Sequence, residues 1–470
     1  MRRFAAHSTL GLSGLLLLGL ILESLMPSPG SGGGPSGPVV ELFGGGVNFI
    51  VEIGAQVGWI VLPVTAIWLL LRGLPDLAAF VVVTALGSAV LVTAGPPLTD
   101  LLVRLTGPYL PGPGNSGLFT NGSIEMTVAC AVLVLVFLQA VPSRGRMWAI
   151  TSVVACLATF DAVRVASTPA PWWAIAGAWL LGIGWVGLTA FAFRSLQQSG
   201  AARRPLHQGL SPRNRANLAP APVGDNPMPD GAPGLMKLLA AWLLIVTVLT
   251  GAGLLVTRMI TGVERFDAQV VAWFVDVRGD NFTMLATVFG SFGTTPGIVA
   301  VLLIAAPLCL AVTRRAAPAV FLLTAVVGGT ALYLTAALIV GRSRPEVDHL
   351  SQGVPPTSSF PSGHVAASVA AYGAIALILW VWVPGRLRYT GIVVAPIIVL
   401  GVAYSRLYWG VHFPSDTIAS MLFATVWLGV CWRAVRPDRG SRRNEAGGAG
   451  ERRTGPMAAT GAKGWHSSGT

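Results

Sequence analysis

Apolar runs long enough to cross a bilayer recur along almost the whole of this chain, and they leave it few ways to fold. A hydrocarbon core roughly 30 Å thick needs about 20 helical residues. Twelve runs approach that length, at about 8–25, 49–71, 76–95, 123–141, 147–165, 172–193, 236–258, 284–311, 317–340, 364–384, 389–405 and 412–433. Charge is correspondingly scarce: 11% of the 470 residues are Asp, Glu, Lys or Arg, where a soluble domain has about a quarter. The expected fold class is an all-α, polytopic membrane protein with about twelve transmembrane helices.

The formal net charge of +12 does not mark a nucleic-acid face, because the cations sit in particular loops. Arg2 and Arg3, Arg72, Arg144 and Arg146, the stretch from Arg194 to Lys237, Arg314 and Arg315, Arg386 and Arg388, and the tail from Arg433 fall on one side if the spans alternate. That side is cytoplasmic by the positive-inside rule, which places both termini in the cytoplasm. Residues 1–38 have the outline of a signal peptide, but no A-x-A cleavage pattern follows the apolar stretch, so they read as an uncleaved first helix. Cys130, Cys156, Cys309 and Cys431 fall inside spans without paired metal-ligand spacing and read as packing residues.

Hydropathy collapses between Arg194 and Met236, in a segment rich in Pro, Arg, Asn and Gly. It reads as a cytoplasmic linker, residues 195–235, between an N-terminal transmembrane domain (1–194) and a second one (236–434), with 435–470 a disordered cytoplasmic tail. The halves echo each other. Leu118 to Ser123 precedes an apolar helix as Ser359 to His364 does, Leu101 to Pro108 falls where Leu338 to Pro345 does, and Phe160-Asp161…Ser167…Pro169 aligns with Ser405-Arg406…His412…Pro414. Polar chemistry is lost in the first copy: Gly107 stands for Arg344, Ser123 for His364, Asp161 for Arg406 and Ser167 for His412. The expectation is a degenerate N-terminal repeat of six spans, with every candidate reactive group in the second half.

Three polar islands interrupt that second half: Arg344-Pro345, Pro361-Ser362-Gly363-His364, and Ser405-Arg406…His412…Asp416. Such groups are costly at apolar edges and point to function. Together they supply what a metal-free attack on a phosphate ester requires: fixed cations, hydrogen-bond donors, a nucleophile and a proton source. Arg344 and Arg406 offer planar forks that match phosphate oxygens, with Arg342 nearby. Pro361 to Gly363 shape a helix entry whose free N–H groups face an anion, Ser362 adds a hydroxyl, and His364 is placed to protonate a leaving oxygen. His412 and Asp416 share a helical face at i, i+4, so the carboxylate can fix the imidazole tautomer and free its other nitrogen to attack, giving a covalent phosphohistidine. Metal ligation is the rival use of that pair, and the surrounding arginines argue against it.

At these residues the chain resembles the type 2 phosphatidic acid phosphatase superfamily, which also contains vanadium haloperoxidases. Its signature, K-x6-R-P, P-S-G-H and S-R-x5-H-x3-D, is matched by Arg344-Pro345, Pro361 to His364, and Ser405-Arg406 with His412 and Asp416. The resemblance covers about residues 236–434. It implies a six-helix catalytic bundle with both termini cytoplasmic, His412 as nucleophile, Asp416 as its orienter, His364 as general acid, and Arg344, Arg406, Ser362 and the Gly363 amide as phosphate ligands. No cofactor or metal is expected. One position departs: Ala337 stands where the family has its first-motif lysine, and Arg342 is the nearest cation that could swing into its place.

Alternating the spans from a cytoplasmic Arg2-Arg3 puts all three islands at the extracytoplasmic surface of the cell membrane. The substrate class expected there is a lipid phosphate: an isoprenyl diphosphate, phosphatidic acid or phosphatidylglycerol phosphate. Two alternatives remain at this stage, a phosphotransferase using the same histidine and a non-catalytic lipid-binding or transport protein. Neither involves nucleic acid.

Overall fold

The computed structural model describes residues 57–106, 122–167, 172–199, 212–222, 224–350 and 358–439, and no strand occurs among these described residues. The first half contains α1 (Val57–Leu71), α2 (Pro75–Thr106), α3 (Ser123–Phe137), α4 (Ser143–Ser167) and α5 (Trp172–Ser199). After α6 (Pro212–Leu218) the second half runs through α7 (Gly231–Arg258), α8 (Thr261–Asp276), α9 (Asp280–Gly293), α10 (Thr295–Thr313), α11 (Ala316–Val340), α12 (Gly363–Trp382), α13 (Arg388–Tyr408) and α14 (Pro414–Val435). Eight described helices are long and apolar enough to cross a membrane, and six of them, α7 and α10 to α14, belong to the second half. The run at 8–25, the tail beyond Arg439, and the first-half counterparts Gly107, Leu118 to Asn121 and Pro169 lie outside the described residues.

The second half packs around α12. Its Val365, Ala366, Ala370, Ala371 and Ala374 are buried, and α12 meets α11, α13 and α14. Small side chains suit this position, because helices in lipid associate through close van der Waals approach and not through hydrophobic expulsion. Trp427 on α14 closes the bundle against α11: its ring is fully enclosed, its Nε1–H donates to the Ala325 carbonyl at 3.1 Å, and a Cβ at Gly328 would fall 2.2 Å from its Cζ2. The first half holds the same lock, with Trp185 on α5 donating to the Thr84 carbonyl at 2.8 Å and its Cζ2 1.8 Å from where a Cβ at Gly87 would lie. Replacing Trp427 by alanine should lower stability by about 3–5 kcal/mol through the cavity and the stranded carbonyl, read as earlier thermal unfolding in detergent; an unchanged midpoint would remove the lock from the account.

One sequence expectation needs correction. The run at 284–311 is not one continuous helix: Thr294 is extended, its Oγ1 accepts the Gly297 N–H at 3.3 Å, and Pro296 sits in the first turn of α10, so one helix ends and another begins. Hydropathy averages across such a break. Part of the 195–235 segment packs on the first half: Leu218 is fully buried in its core and Arg72, at the α1–α2 turn, donates to the carbonyls of Ala219 and Pro220 at 2.9 and 2.7 Å.

Between α7 and α10 lie α8, which no apolar run announces, and α9, the first part of the broken 284–311 run. Along α8 the buried or half-buried positions Val263, Asp267, Val270, Val271 and Phe274 form one face, and this helix packs against α13 and α14. Arg278, just after α8, donates to the Tyr408 carbonyl at 3.1 Å, while the Tyr408 hydroxyl accepts the Gly279 N–H at 2.9 Å. These contacts tie the α8–α9 turn to the end of α13, which carries the third island.

Candidate active site

The end of α11, the start of α12, the end of α13 and the start of α14 meet, and the three islands meet with them. His412 lies in the short turn between α13 and α14 and is 5% exposed. Its Nδ1 is 2.7 Å from the Ser359 carbonyl oxygen and 3.6 Å from Asp416 Oδ2. The backbone carbonyl is therefore the direct hydrogen-bond acceptor, and the carboxylate stands behind it as a charge. A proton on Nδ1 leaves the Nε2 lone pair free. Burial pushes the His412 imidazole below its ordinary pKa, against the pull of Asp416 and Ser359, so the ring is neutral at physiological pH.

His364 is the second residue of α12, half-buried, and the charges that reach it belong to Arg406, His412 and Arg344. Ser362 caps this helix in extended conformation, accepting the Ala366 N–H at 3.0 Å through its backbone carbonyl. Its hydroxyl is fully buried and has no hydrogen-bond partner among the described residues. Gly363 follows, where a Cβ would fall 2.7 Å from the ring of Tyr333. The helix start thus offers free N–H groups and a hydroxyl to an anion.

Arg406 lies over the Trp409 ring at 4.3 Å, with Nε donating to Ser405 Oγ at 3.2 Å. Its Nη2 is buried without a partner among the described residues. Arg344 anchors one Nη on the Val411 carbonyl at 2.8 Å. Burial lowers its pKa, Asp416 opposes the shift, and the guanidinium stays charged at neutral pH. Two arginine forks, a buried hydroxyl and a helix N-terminus surrounding a neutral imidazole form a site that can bind a phosphoryl group and attack it.

Arg342, expected as a stand-in for the motif lysine, is engaged elsewhere. Its Nη1 donates to Asp416 Oδ1 at 2.6 Å and Ser415 Oγ at 2.7 Å, its Nη2 to Asp267 Oδ2 at 2.7 Å, and its guanidinium lies 4.1 Å from the centre of the Phe413 ring. Held between two carboxylates, it orients Asp416 and has no fork left for a ligand. Ala337 is half-buried on α11, one turn beyond Tyr333.

Three contributors to the site lie outside the motifs. The Ser359 carbonyl has no side-chain signature. Asp267 does have one, a lone carboxylate on the apolar face of α8. Gly290 on α9 makes room for Arg406, because a Cβ there would lie 2.8 Å from Arg406 Nη2.

Residues 318–439 match the family model described as the PAP2 superfamily. The segment from α11 to the end of α14 is similar to that superfamily. A curated relative, an undecaprenyl-diphosphatase of Sulfolobus acidocaldarius, is 34% identical over 116 residues, which cover 23% of this chain and 48% of the relative. The chain thus spans about half the length of the curated relative it matches. A solved structure, the first transmembrane PAP2 type phosphatidylglycerolphosphate phosphatase from Bacillus subtilis, aligns with a TM-score of 0.35 at 19% identity, covering 42% of this chain and 92% of that one. All three polar islands lie inside the matched 318–439 segment, as does Ala337.

Proposed function

We propose that this protein is a membrane lipid-phosphate phosphatase that works through a phosphohistidine on His412, at the extracytoplasmic face, without a metal. The observation that carries the reading is the His412 Nδ1 contact with the Ser359 carbonyl beside Asp416, in a site where Ser362 Oγ and Arg406 Nη2 are buried donors without partners among the described residues. His412 Nε2 attacks phosphorus, the N–P bond forms, and the bond to the lipid oxygen or leaving phosphate breaks. His364 gives that oxygen its proton. The deprotonated His364 then takes a proton from water, whose oxygen attacks phosphorus, the N–P bond breaks, and inorganic phosphate leaves. Fixed arginines supply the positive charge that a divalent cation would otherwise bring.

The side assignment rests on charge. Arg315 pairs with Asp225 at 3.1 Å, and Arg436 and Lys237 reach Asp230 at 3.4 and 3.9 Å, all at the bundle end opposite His412. A cytoplasmic location for this basic end follows the positive-inside rule, and both termini follow with it. The substrate panel is an isoprenyl diphosphate, phosphatidic acid and phosphatidylglycerol phosphate; the activity named for the archaeal relative puts the isoprenyl diphosphate first.

The first half is read as a degenerate copy of the catalytic bundle. Its helices α2, α3, α4 and α5 take the places of α11, α12, α13 and α14, and the paired locks of Trp185 with Gly87 and Trp427 with Gly328 support the equivalence. Ser123 begins α3 where His364 lies at the start of α12, and it donates to Asp161 Oδ1 at 2.6 Å, while Trp179 donates to Oδ2 at 2.7 Å. The position that would face phosphate is closed by hydrogen bonds around an anion.

The test is phosphate release from this panel by purified protein in detergent with chelator present, and again with intact spheroplasts. Release should persist in chelator and occur with substrate supplied from outside. Loss of activity in chelator overturns the metal-free reading, activity only after lysis overturns the side assignment, and phosphate appearing on an acceptor other than water makes the protein a transferase.

A further inference from the structure

Asp267 belongs to none of the three motifs, yet its fully buried carboxylate is tied to all that stands behind His412. It accepts Arg342 Nη2 at 2.7 Å, the Ser415 backbone N–H at 3.0 Å and the Ser415 hydroxyl. Arg342 reaches on to Asp416 Oδ1 at 2.6 Å, and the other oxygen of Asp416 accepts the Phe413 N–H at 2.9 Å and lies 3.6 Å from His412 Nδ1. Carboxylate, guanidinium, carboxylate and imidazole therefore stand in line, with α8, the loop after α11 and the start of α14 each contributing.

We infer that Asp267 is a positioning residue that sets the negative charge Asp416 presents to His412. The inference rests on the reading of His412 as nucleophile. Arg342 paired with Asp416 alone would make a neutral couple and withdraw the charge that an imidazole needs as it turns positive on attacking phosphorus. A second carboxylate shares the guanidinium, and the set of Asp267, Arg342 and Asp416 keeps one net negative charge. Its Ser415 contacts also place the start of α14, from which Asp416 projects, because the Ser415 N–H is one of the open donors of that helix's first turn.

The other charged groups around His412 do not duplicate this role. Arg344 approaches from the loop after α11 and His364 from α12, and each disfavours an imidazolium at His412 when charged, whereas Arg406 on α13 acts on His364. Asp416 and, through Arg342, Asp267 supply the opposing negative charge.

The experiment measures the His412 titration directly, by NMR of histidine-labelled full-length protein in detergent, with the signal assigned by its loss in His412→Asn. The pH profile of kcat/KM on the lipid panel is measured alongside. Asp267→Asn removes a charge at constant size and should move the His412 titration and the acid limb about one unit lower, with the plateau down by about 10–100-fold. Arg342→Gln leaves two carboxylates and should move both higher. Combining the substitutions restores one net negative charge and should return the titration towards wild type. Unmoved titrations in the single variants, or shifts of the same sign, would overturn the inference and leave Asp267 a helix-capping residue. If Asp267→Asn does not fold, the upward shift in Arg342→Gln and its reversal in the double variant still decide. Wild-type protein that releases no phosphate from any lipid defeats the phosphatase reading separately, because the titrations do not depend on turnover.

Discussion

His412→Ala should abolish phosphate release, by on the order of 10⁴-fold or more, while leaving the protein folded and able to bind lipid phosphate. The size of the effect follows from position. No other imidazole among the described residues is held by a carbonyl at 2.7 Å with a carboxylate behind it. Rapid quenching of wild-type protein with substrate labelled in the transferred phosphoryl group should trap an acid-labile, base-stable phosphoprotein that His412→Ala does not form. His364→Asn should behave differently. Turnover of alkyl phosphomonoesters should fall by about 10²–10⁴-fold, but an aryl phosphate, whose leaving oxygen needs no proton, should lose far less. Equal losses on both substrates would assign His364 to binding and not to acid catalysis.

The parts of this site that could be read from sequence are those with a short-range signature. Six second-half spans follow from apolar length alone, and the spacing of His412 and Asp416 follows from the helical repeat. Sequence offers Arg342 only as the nearest cation to Ala337, because its two carboxylate partners are distant along the chain. Asp416 is 74 residues away and Asp267 75, and a contact of that separation is decided by helix packing. Ser359 contributes a backbone oxygen, which every residue type possesses. The helix break at Thr294 did have a local signal, threonine before a proline in the first turn, and the surrounding apolar residues masked it. The lone Asp267 on an apolar stripe was likewise visible, since a buried carboxylate is rarely left without a partner.

Arg406→Ala should cost about 10²–10³-fold in kcat/KM, the scale of removing one preorganised donor from a developing oxyanion. Its Nη2 has no partner among the described residues although it is buried, and the Trp409 ring at 4.3 Å fixes the plane of the fork. Lysine should rescue poorly, because a single ammonium cannot present two parallel N–H groups. The more discriminating change is Gly290→Ala. Its Cβ would lie 2.8 Å from Arg406 Nη2 and 3.3 Å from Ser405 Oγ. The far end of an arginine side chain can yield where backbone could not, so the helix should still form, but the guanidinium must leave the place where it faces phosphate. The expected outcome is a folded protein with a thermal midpoint close to wild type, kcat/KM lower by about tenfold, and inhibition by vanadate, a mimic of the five-coordinate phosphorus, weakened in parallel. Gly290→Ala with undiminished vanadate binding would mean that Arg406 does not contact the transferred group, and the charge at the centre of the mechanism would have to come from Arg344 alone.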